Sequence, residues 1–125
     1  MEQASLPRAE RLRTLGAIRR LFESGEGGFV YPLRYLYFAE ADTESSARLL
    51  FSVPKRYHKR ANKRNLLKRR MREAYRLHKG ELKGEKMALD LALIYSAKEI
   101  LEYSKVERAI RKILEQVSQK LQPEA

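Results

Sequence analysis

Hydrophobic residues recur along this chain with two different periods, and these periods separate helices from strands. Apolar side chains recur at helical spacing in residues 9–24, with arginines between them, and glycines within residues 25–28 end the helix. Residues 29–39 and 47–54 are rich in aromatic and branched side chains, which favours strands. An acidic, serine-rich turn separates them, so we predict that these two strands pair as an antiparallel hairpin. The residues before Leu33 can add another short strand.

The second half of the chain repeats the alternation of helix and strand. Residues 61–79 read as a long helix that ends near Gly80. Residues 87–95 are apolar almost throughout, which indicates a strand covered on both faces. A last helix carries an apolar stripe over residues 106–121. The order is helix, two or three strands, helix, strand, helix, which predicts an α+β fold, a two-layer sandwich of a sheet with helices on it.

Length and composition limit the architecture. A chain of 125 residues with 43% hydrophobic side chains has the size of a single domain, with a core over about residues 9–121 and short flexible termini. It contains no cysteine, so no disulfide framework is expected. No secretory signal and no long apolar run is visible, so we expect a cytoplasmic protein without a membrane segment.

The positive charge of the chain is concentrated in one segment. The chain has 27 basic and 16 acidic side chains, and residues 55–72 contain ten of the basic ones and no acid. The remaining residues are nearly balanced. Such a segment repels itself unless a polyanion neutralises it, so we predict binding to nucleic acid. The ten residues are Lys55, Arg56, Lys59, Arg60, Lys63, Arg64, Lys68, Arg69, Arg70 and Arg72.

Successive residues of an α-helix are rotated by about 100° around its axis, and this rotation sorts the basic helix into two faces. One face is predicted to pack on the sheet and holds Leu67, Met71, Ala74, Tyr75 and His78. The adjacent face holds Arg64, Asn65, Lys68, Arg69, Arg72 and Arg76. Arginine offers a planar fork to phosphate oxygens and lysine a mobile point charge. Charge in the loop as well as the helix, with a tyrosine-bearing strand nearby, favours RNA over DNA.

Groups for catalysis by the protein itself are scarce. The two histidines are His58, expected near phosphates in the basic loop, and His78, expected to be partly buried. No acidic pair lies in the basic segment, so we assign no catalytic and no metal-binding residue. A ribosomal or other structural RNA-binding protein and a DNA-binding regulator remain as alternatives, and a metal-dependent nuclease is poorly supported.

The basic helix resembles the signature of the bacterial ribonuclease P protein family. That signature is carried here by Arg64, Asn65, Lys68, Arg69, Arg72 and Glu73. The upstream residues 53–56 are similar to the family's strand end, and the resemblance extends from about Arg11 to Leu121. Leu66 departs from the family, which usually has a second arginine there, so Lys63 or Arg70 would have to replace it. The loop over residues 59–62 also differs, with one extra residue.

The resemblance implies a fold and a function. The fold would be similar to the second domain of ribosomal protein S5, with a left-handed β-α-β crossover. The chain would be a subunit of the endoribonuclease that removes the 5′ leader of precursor tRNA. Its partners would be a catalytic ribonuclease P RNA of the M1 type and precursor tRNA, with no obligate protein partner. The RNA would carry the chemistry, with Mg²⁺ held by the RNA.

The resemblance also implies roles for particular residues. The residues expected to bind the catalytic RNA are Lys55, Arg56, Lys59, Arg60, Lys63, Arg64, Asn65, Lys68, Arg69 and Arg72. A cleft between the first helix and the sheet would bind the single-stranded leader, and its expected lining is Ile18, Phe22, Tyr35 and Tyr37.

Overall fold

The computed structural model describes residues 6–82 and 86–121. The helices in this part of the chain are α1 (Leu15–Ser24), α2 (Ala61–His78) and α3 (Tyr103–Leu121), with 3-10 turns at Arg8–Glu10 and Lys79–Glu81. The strands are β1 (Glu26–Val30), β2 (Leu33–Ala41), β3 (Ser46–Ser52) and β4 (Met87–Tyr95). The strand predicted before Leu33 is therefore confirmed as β1.

The four strands form one mixed sheet in the order β1-β2-β4-β3. Strand β4 is antiparallel to β2 and parallel to β3, so α2 forms the crossover between two parallel strands. The predicted α+β class is confirmed; the handedness of the crossover stays a prediction. The predicted hairpin is wrong, because β2 and β3 run in opposite directions but have β4 between them. The most apolar strand takes the central position, where both of its edges and both of its faces are covered.

Helices cover both faces of the sheet. On one face, α2 and α3 pack on a core that includes Leu89, Leu91 and Leu93 of β4. On the other face, the shorter α1 adds a partial layer over a second cluster that includes Ala92 and Ile94 of the same strand. The bounds predicted for this strand and its burial on both faces are confirmed.

The first helix begins later than its hydrophobic pattern predicts. Thr14 caps α1, because its side-chain oxygen accepts a hydrogen bond from the Ala17 amide at 3.3 Å. Before the cap, the Leu12 amide donates to the Leu49 carbonyl at 2.9 Å, and Arg11 forms a parallel bridge with Leu49. The predicted helix over residues 9–24 is therefore wrong in its first part, which runs along the edge of β3.

An ionic network fixes α1 on the sheet. Asp90 of β4 is buried, and its carboxylate accepts hydrogen bonds from Arg48 Nε at 2.9 Å and Arg48 Nη2 at 3.0 Å. Arg20 of α1 donates to the same carboxylate at 3.3 Å and to Glu40 at 2.8 Å. The Arg20 guanidinium also lies 4.6 Å from the centre of the Phe38 ring. The network joins α1, β2, β3 and β4 beside one side of the helix.

None of the described helices combines the length and the apolar character that crossing a bilayer requires.

Candidate nucleic-acid interface

Helix α2 presents one apolar face to the core. Its buried residues are Leu67, Met71, Ala74 and Tyr75, which agrees with the predicted face. His78 differs from them, since it is half-buried and its ring nitrogens lie 2.9 Å from Glu81 and 2.8 Å from Glu107. The hydrogen bond to Glu107 raises the pKa of His78, and the bond and charge of Glu81 add to this effect against the opposing effect of desolvation. His78 therefore links the end of α2 to α3.

The other side of α2 is cationic and faces outward. Asn65 and Arg69 are exposed, and Lys63 and Lys68 are half-buried. Among the residues that the structure describes, no carboxylate pairs with Lys63, Lys68 or Arg69. Glu73, the acid nearest to them in sequence, pairs with Arg76 at 2.8 Å. The positive charge of this surface is therefore not neutralised by those parts of the protein.

Two arginines of α2 bind backbone carbonyls. One nitrogen of Arg64 donates to the carbonyls of His58 and Lys59, at 3.0 and 2.8 Å. Arg64 thereby fixes the loop that precedes the helix. Arg70 donates to the Leu101 carbonyl on the side of α3. The side chain of Arg70 is therefore engaged within the protein.

The loop before α2 carries four exposed cations, which are Lys55, Arg56, Lys59 and Arg60. The Arg56 guanidinium lies 5.0 Å from the centre of the Tyr57 ring. His58 of the same loop is buried, so its predicted place near phosphates is wrong. Its Nε2 lies 2.7 Å from the Ala97 carbonyl and its ring meets Tyr95 edge to face. His58 therefore attaches the basic loop to the segment after β4, a role that its position among cations did not indicate.

Arg11 and Arg13 lie beside the cationic side of α2, although neither was predicted as part of the site. A groove of about 420 Å³ lies between the segment before α1, strand β3 and helix α2. Its lining residues are Leu6, Arg11, Leu12, Arg13, Leu49, Leu50, Phe51, Lys68 and Arg72, with no acid among them. Burial lowers the pKa of Arg72, and the charges of Arg69 and Arg11 lower it further. Arg11 and Arg13 were not predicted because they lie outside the charged run of residues 55–72 that defined the site.

The sheet separates the four residues predicted for the leader cleft. Tyr35 and Tyr37 are buried in the core on the α3 face, where Tyr35 donates to Gln116 at 2.8 Å. Burial and the hydrogen bond from Tyr37 to Glu26 raise the pKa of Tyr37 to about 12, so this phenol stays a donor. Ile18 packs on the opposite face. The prediction that the two tyrosines line a cleft with α1 is therefore wrong, because they point away from that helix.

Helix α1 packs on the sheet face opposite the two tyrosines, and we call the surface between its outer side and that face the α1 groove. Ile18 and Phe22 each lie two residues from Arg20, about 200° around the helix axis. They therefore lie on the side of α1 that is away from Asp90. Beyond the row of Asp90, the strand register gives two more rows on this sheet face, first Leu50, Ala92, Leu36 and Gly27, and then Ser52, Ile94, Arg34 and Phe29, each taken from β3 to β1. Ile18 is half-buried and Phe22 is 51% exposed, so the wall of the groove is apolar and accessible.

The cationic surface of α2 and its loop is built from groups that bind phosphates. The described residues contain no cluster of three His, Cys, Asp or Glu side chains that could hold a metal ion, and the cations on α2 would repel one. The basic loop, α2 and the α1 groove together suit an extended polyanion with unpaired bases.

Comparisons with known proteins agree with this geometry. The family model for ribonuclease P matches residues 6–118. The ribonuclease P protein component of Porphyromonas gingivalis is 35% identical over 114 residues, which cover 87% of this chain and 83% of that protein. The component of Chlorobaculum tepidum is 39% identical over 110 residues, which cover 75% and 69%.

Solved structures support the fold independently. The ribonuclease P protein of Staphylococcus aureus has a TM-score of 0.70 at 18% identity and covers 92% of this chain and 100% of its own. That of Thermotoga maritima has a TM-score of 0.70 at 23% identity and covers 86% and 96%. The alternative of a structural RNA-binding protein is not favoured. This chain therefore belongs to the ribonuclease P protein family, with a function as a subunit of that enzyme in tRNA 5′-end processing.

Proposed function

We propose that this protein binds a catalytic ribonuclease P RNA through α2 and the basic loop, and the 5′ leader of precursor tRNA through the α1 groove. The observation that carries the proposal is the cationic surface of α2, on which Lys63, Lys68 and Arg69 pair with no carboxylate of the described chain. Each phosphate that such a surface neutralises releases counterions, so the binding free energy grows with the number of contacts. RNA contacts are also assigned to Asn65, and to Arg64 through its remaining donors.

The proposed chemistry resides in the RNA. The described side chains of the cationic surface include no general base and no carboxylate cluster, so the protein's contribution is to bind and orient RNA. Mg²⁺ would be held by phosphates of the RNA, and the protein's cations would lower the repulsion between the two RNAs. The cytoplasm, where precursor tRNA is made, is the proposed place of action.

The α1 groove replaces the tyrosine cleft as the proposed leader site. Ile18 and Phe22 supply its apolar wall, while Ile94 and Arg34 form its floor. Apolar and aromatic side chains bind unpaired bases with little sequence preference, and a nearby arginine binds the phosphates between them. A leader, which varies in sequence, needs this kind of contact.

Cleavage of a precursor tRNA at low Mg²⁺ tests the subunit role. The assay compares the protein alone, a bacterial ribonuclease P RNA alone, and the two together. Cleavage that is stimulated only in the mixture is expected. Cleavage by the protein alone would contradict the assignment of chemistry to the RNA, and tight RNA binding without stimulation would support a general RNA-binding protein instead.

A double variant tests the cationic surface itself. Lys68→Ala with Arg69→Ala removes two phosphate contacts, so the slope of log Kd for the catalytic RNA against log salt should fall by about 1.5. The matched control, Arg108→Ala with Lys112→Ala, removes the same charge from exposed positions of α3. Equal slopes for both variants would refute the α2 assignment and leave only a general effect of net charge.

A further inference from the structure

Two aromatic side chains are exposed at the outer edge of the sheet. Phe29 of β1 and Tyr31 of the following turn are each 55% exposed, and their rings meet edge to face at 6.4 Å. The Tyr31 hydroxyl donates to Glu99 at 2.9 Å, which holds the tyrosine in place beside Phe29. Exposed aromatic side chains that are positioned rather than scattered mark a contact surface. Neither residue belongs to the set predicted from the sequence.

The strand register places Phe29 at the end of the α1 groove. Phe29 lies directly opposite Arg34 across the β1–β2 pair, and both point to the face that carries α1. Directly opposed side chains on one face have Cβ atoms about 5 Å apart. Within the described residues no acid pairs with Arg34, whose side chain is exposed. An aromatic ring and an arginine are therefore adjacent and accessible.

We propose that Phe29 and Arg34 form an outer subsite for one nucleotide of a single-stranded RNA leader. The base would stack on the Phe29 ring and the neighbouring phosphate would bind the Arg34 guanidinium. Tyr31 is a positioning residue, because it supports the Phe29 ring and its own hydroxyl is already used. This inference rests on the proposed function and extends the leader site beyond the wall of α1.

Continuity with the cationic surface favours RNA as the occupant. The row that ends at Phe29 begins at Ser52, and the chain continues from Ser52 through two residues to Lys55 of the basic loop. The row crosses three strand spacings of about 4.8 Å, or about 14 Å in all. A strand of RNA that starts at the basic loop and follows the groove would arrive at Phe29. A leader of one nucleotide would be too short to reach it.

The experiment compares two precursors on the reconstituted complex with ribonuclease P RNA. One precursor has a ten-nucleotide leader and the other a one-nucleotide leader, and the equilibrium Kd of each is measured. Phe29→Ala should weaken binding of the long-leader precursor about tenfold and leave the short-leader precursor unchanged. Phe29→Trp should restore the affinity, because indole also stacks. Leu77→Ala is the matched control, since Leu77 is 53% exposed on α2, away from the sheet.

Each outcome separates this subsite from the proposed function. If wild-type protein stimulates cleavage but Phe29→Ala loses affinity equally for both leaders, or not at all, the outer subsite is refuted alone. If sedimentation shows that Phe29→Ala only abolishes self-association of the free protein, the aromatic pair is an interface between copies and the proposal is wrong. Failure of the wild-type protein to stimulate cleavage would refute the proposed function, and this inference with it.

Discussion

Replacing Asp90 with asparagine tests the ionic network that attaches α1 to the sheet. Asp90 is only 2% exposed, and its carboxylate accepts two hydrogen bonds from Arg48 and one from Arg20. The Asp90→Asn variant keeps the shape but removes the charge. Its amide group would also turn donors toward at least one guanidinium. We expect the folded state to lose stability, and α1 to lose its attachment first.

The magnitude follows from the exposure of the partners. Breaking a fully buried ion pair costs about 3–5 kcal/mol, and a hydrogen bond to a charged group contributes about 1.5–3 kcal/mol. The side chains of Arg48 and Arg20 are 35% and 42% exposed, so water can hydrate them again after the change. The lower part of the range is therefore expected, about 2–3 kcal/mol. For a domain of this size, that corresponds to a fall in Tm of about 10 °C.

Urea and thermal unfolding of the free protein measure this effect. Glu40→Gln is the control, because the Glu40–Arg20 pair has 51% and 42% exposed side chains and should contribute no more than about 0.5 kcal/mol. A destabilisation by Asp90→Asn as small as that of the control would show that the network contributes little. In that case the packing of Leu21, rather than Asp90, would hold α1.

Three other changes probe separate parts of the fold. Gly28→Ala would place a Cβ in overlap with the Tyr35 ring and should cost about 1–3 kcal/mol in urea unfolding, whereas Gly16→Ala meets nothing within 4 Å and should not destabilise. Thr14→Ala should lower the stability by about 1 kcal/mol through loss of the α1 cap, with reduced helicity in circular dichroism. The pKa of His78 in the folded protein is raised above 6.5. The stabilisation that the charged imidazole gives the folded state should therefore be complete below pH 6.5 and be lost as the pH rises through the folded pKa. The difference in unfolding free energy between wild type and His78→Gln, measured from acid to mildly alkaline pH, should shrink accordingly, and a constant difference would contradict the linkage.

Local hydrophobic periodicity predicted the bounds of helices and strands better than it predicted which strands pair. Strand β4 and helix α2 were predicted almost to the residue, because their patterns are long and unbroken. The pairing of β2 with β3 was wrong, since adjacency in sequence cannot show that a later strand enters between them. The start of α1 was also wrong, because the pairing of Arg11 with Leu49 is a tertiary contact that overrides helical spacing.

The cationic part of the candidate site could be predicted from the run of charges in the sequence. The part on the sheet could not, because it depends on which face of the sheet carries α1. The four cations of the basic loop and Arg69 of α2 are exposed, and Lys63 and Lys68 are half-buried, so most of the predicted charged run reaches the surface. Alternation along β2 puts Tyr35 and Tyr37 on one face, and Leu36 and Phe38 on the other, as the structure shows. Which of these two faces carries α1 depends on the packing of α3, and no pattern within β2 contains that information. The tyrosine face of β2 was therefore assigned to the leader cleft, although the opposite face of the strand carries α1.

The position of β4 in the sheet has a consequence for synthesis of the chain on the ribosome. The central strand is the last strand to be made, and α2 emerges before it. Until β4 arrives, β2 and β3 each have an edge without its final partner, and the cations of α2 are already outside the ribosome. The nascent chain is thus able to attract RNA before it can close its sheet. Binding to RNA and completion of the fold are therefore expected to overlap in time. Slow translation of β4 would leave an intermediate with unpaired strand edges and exposed cations.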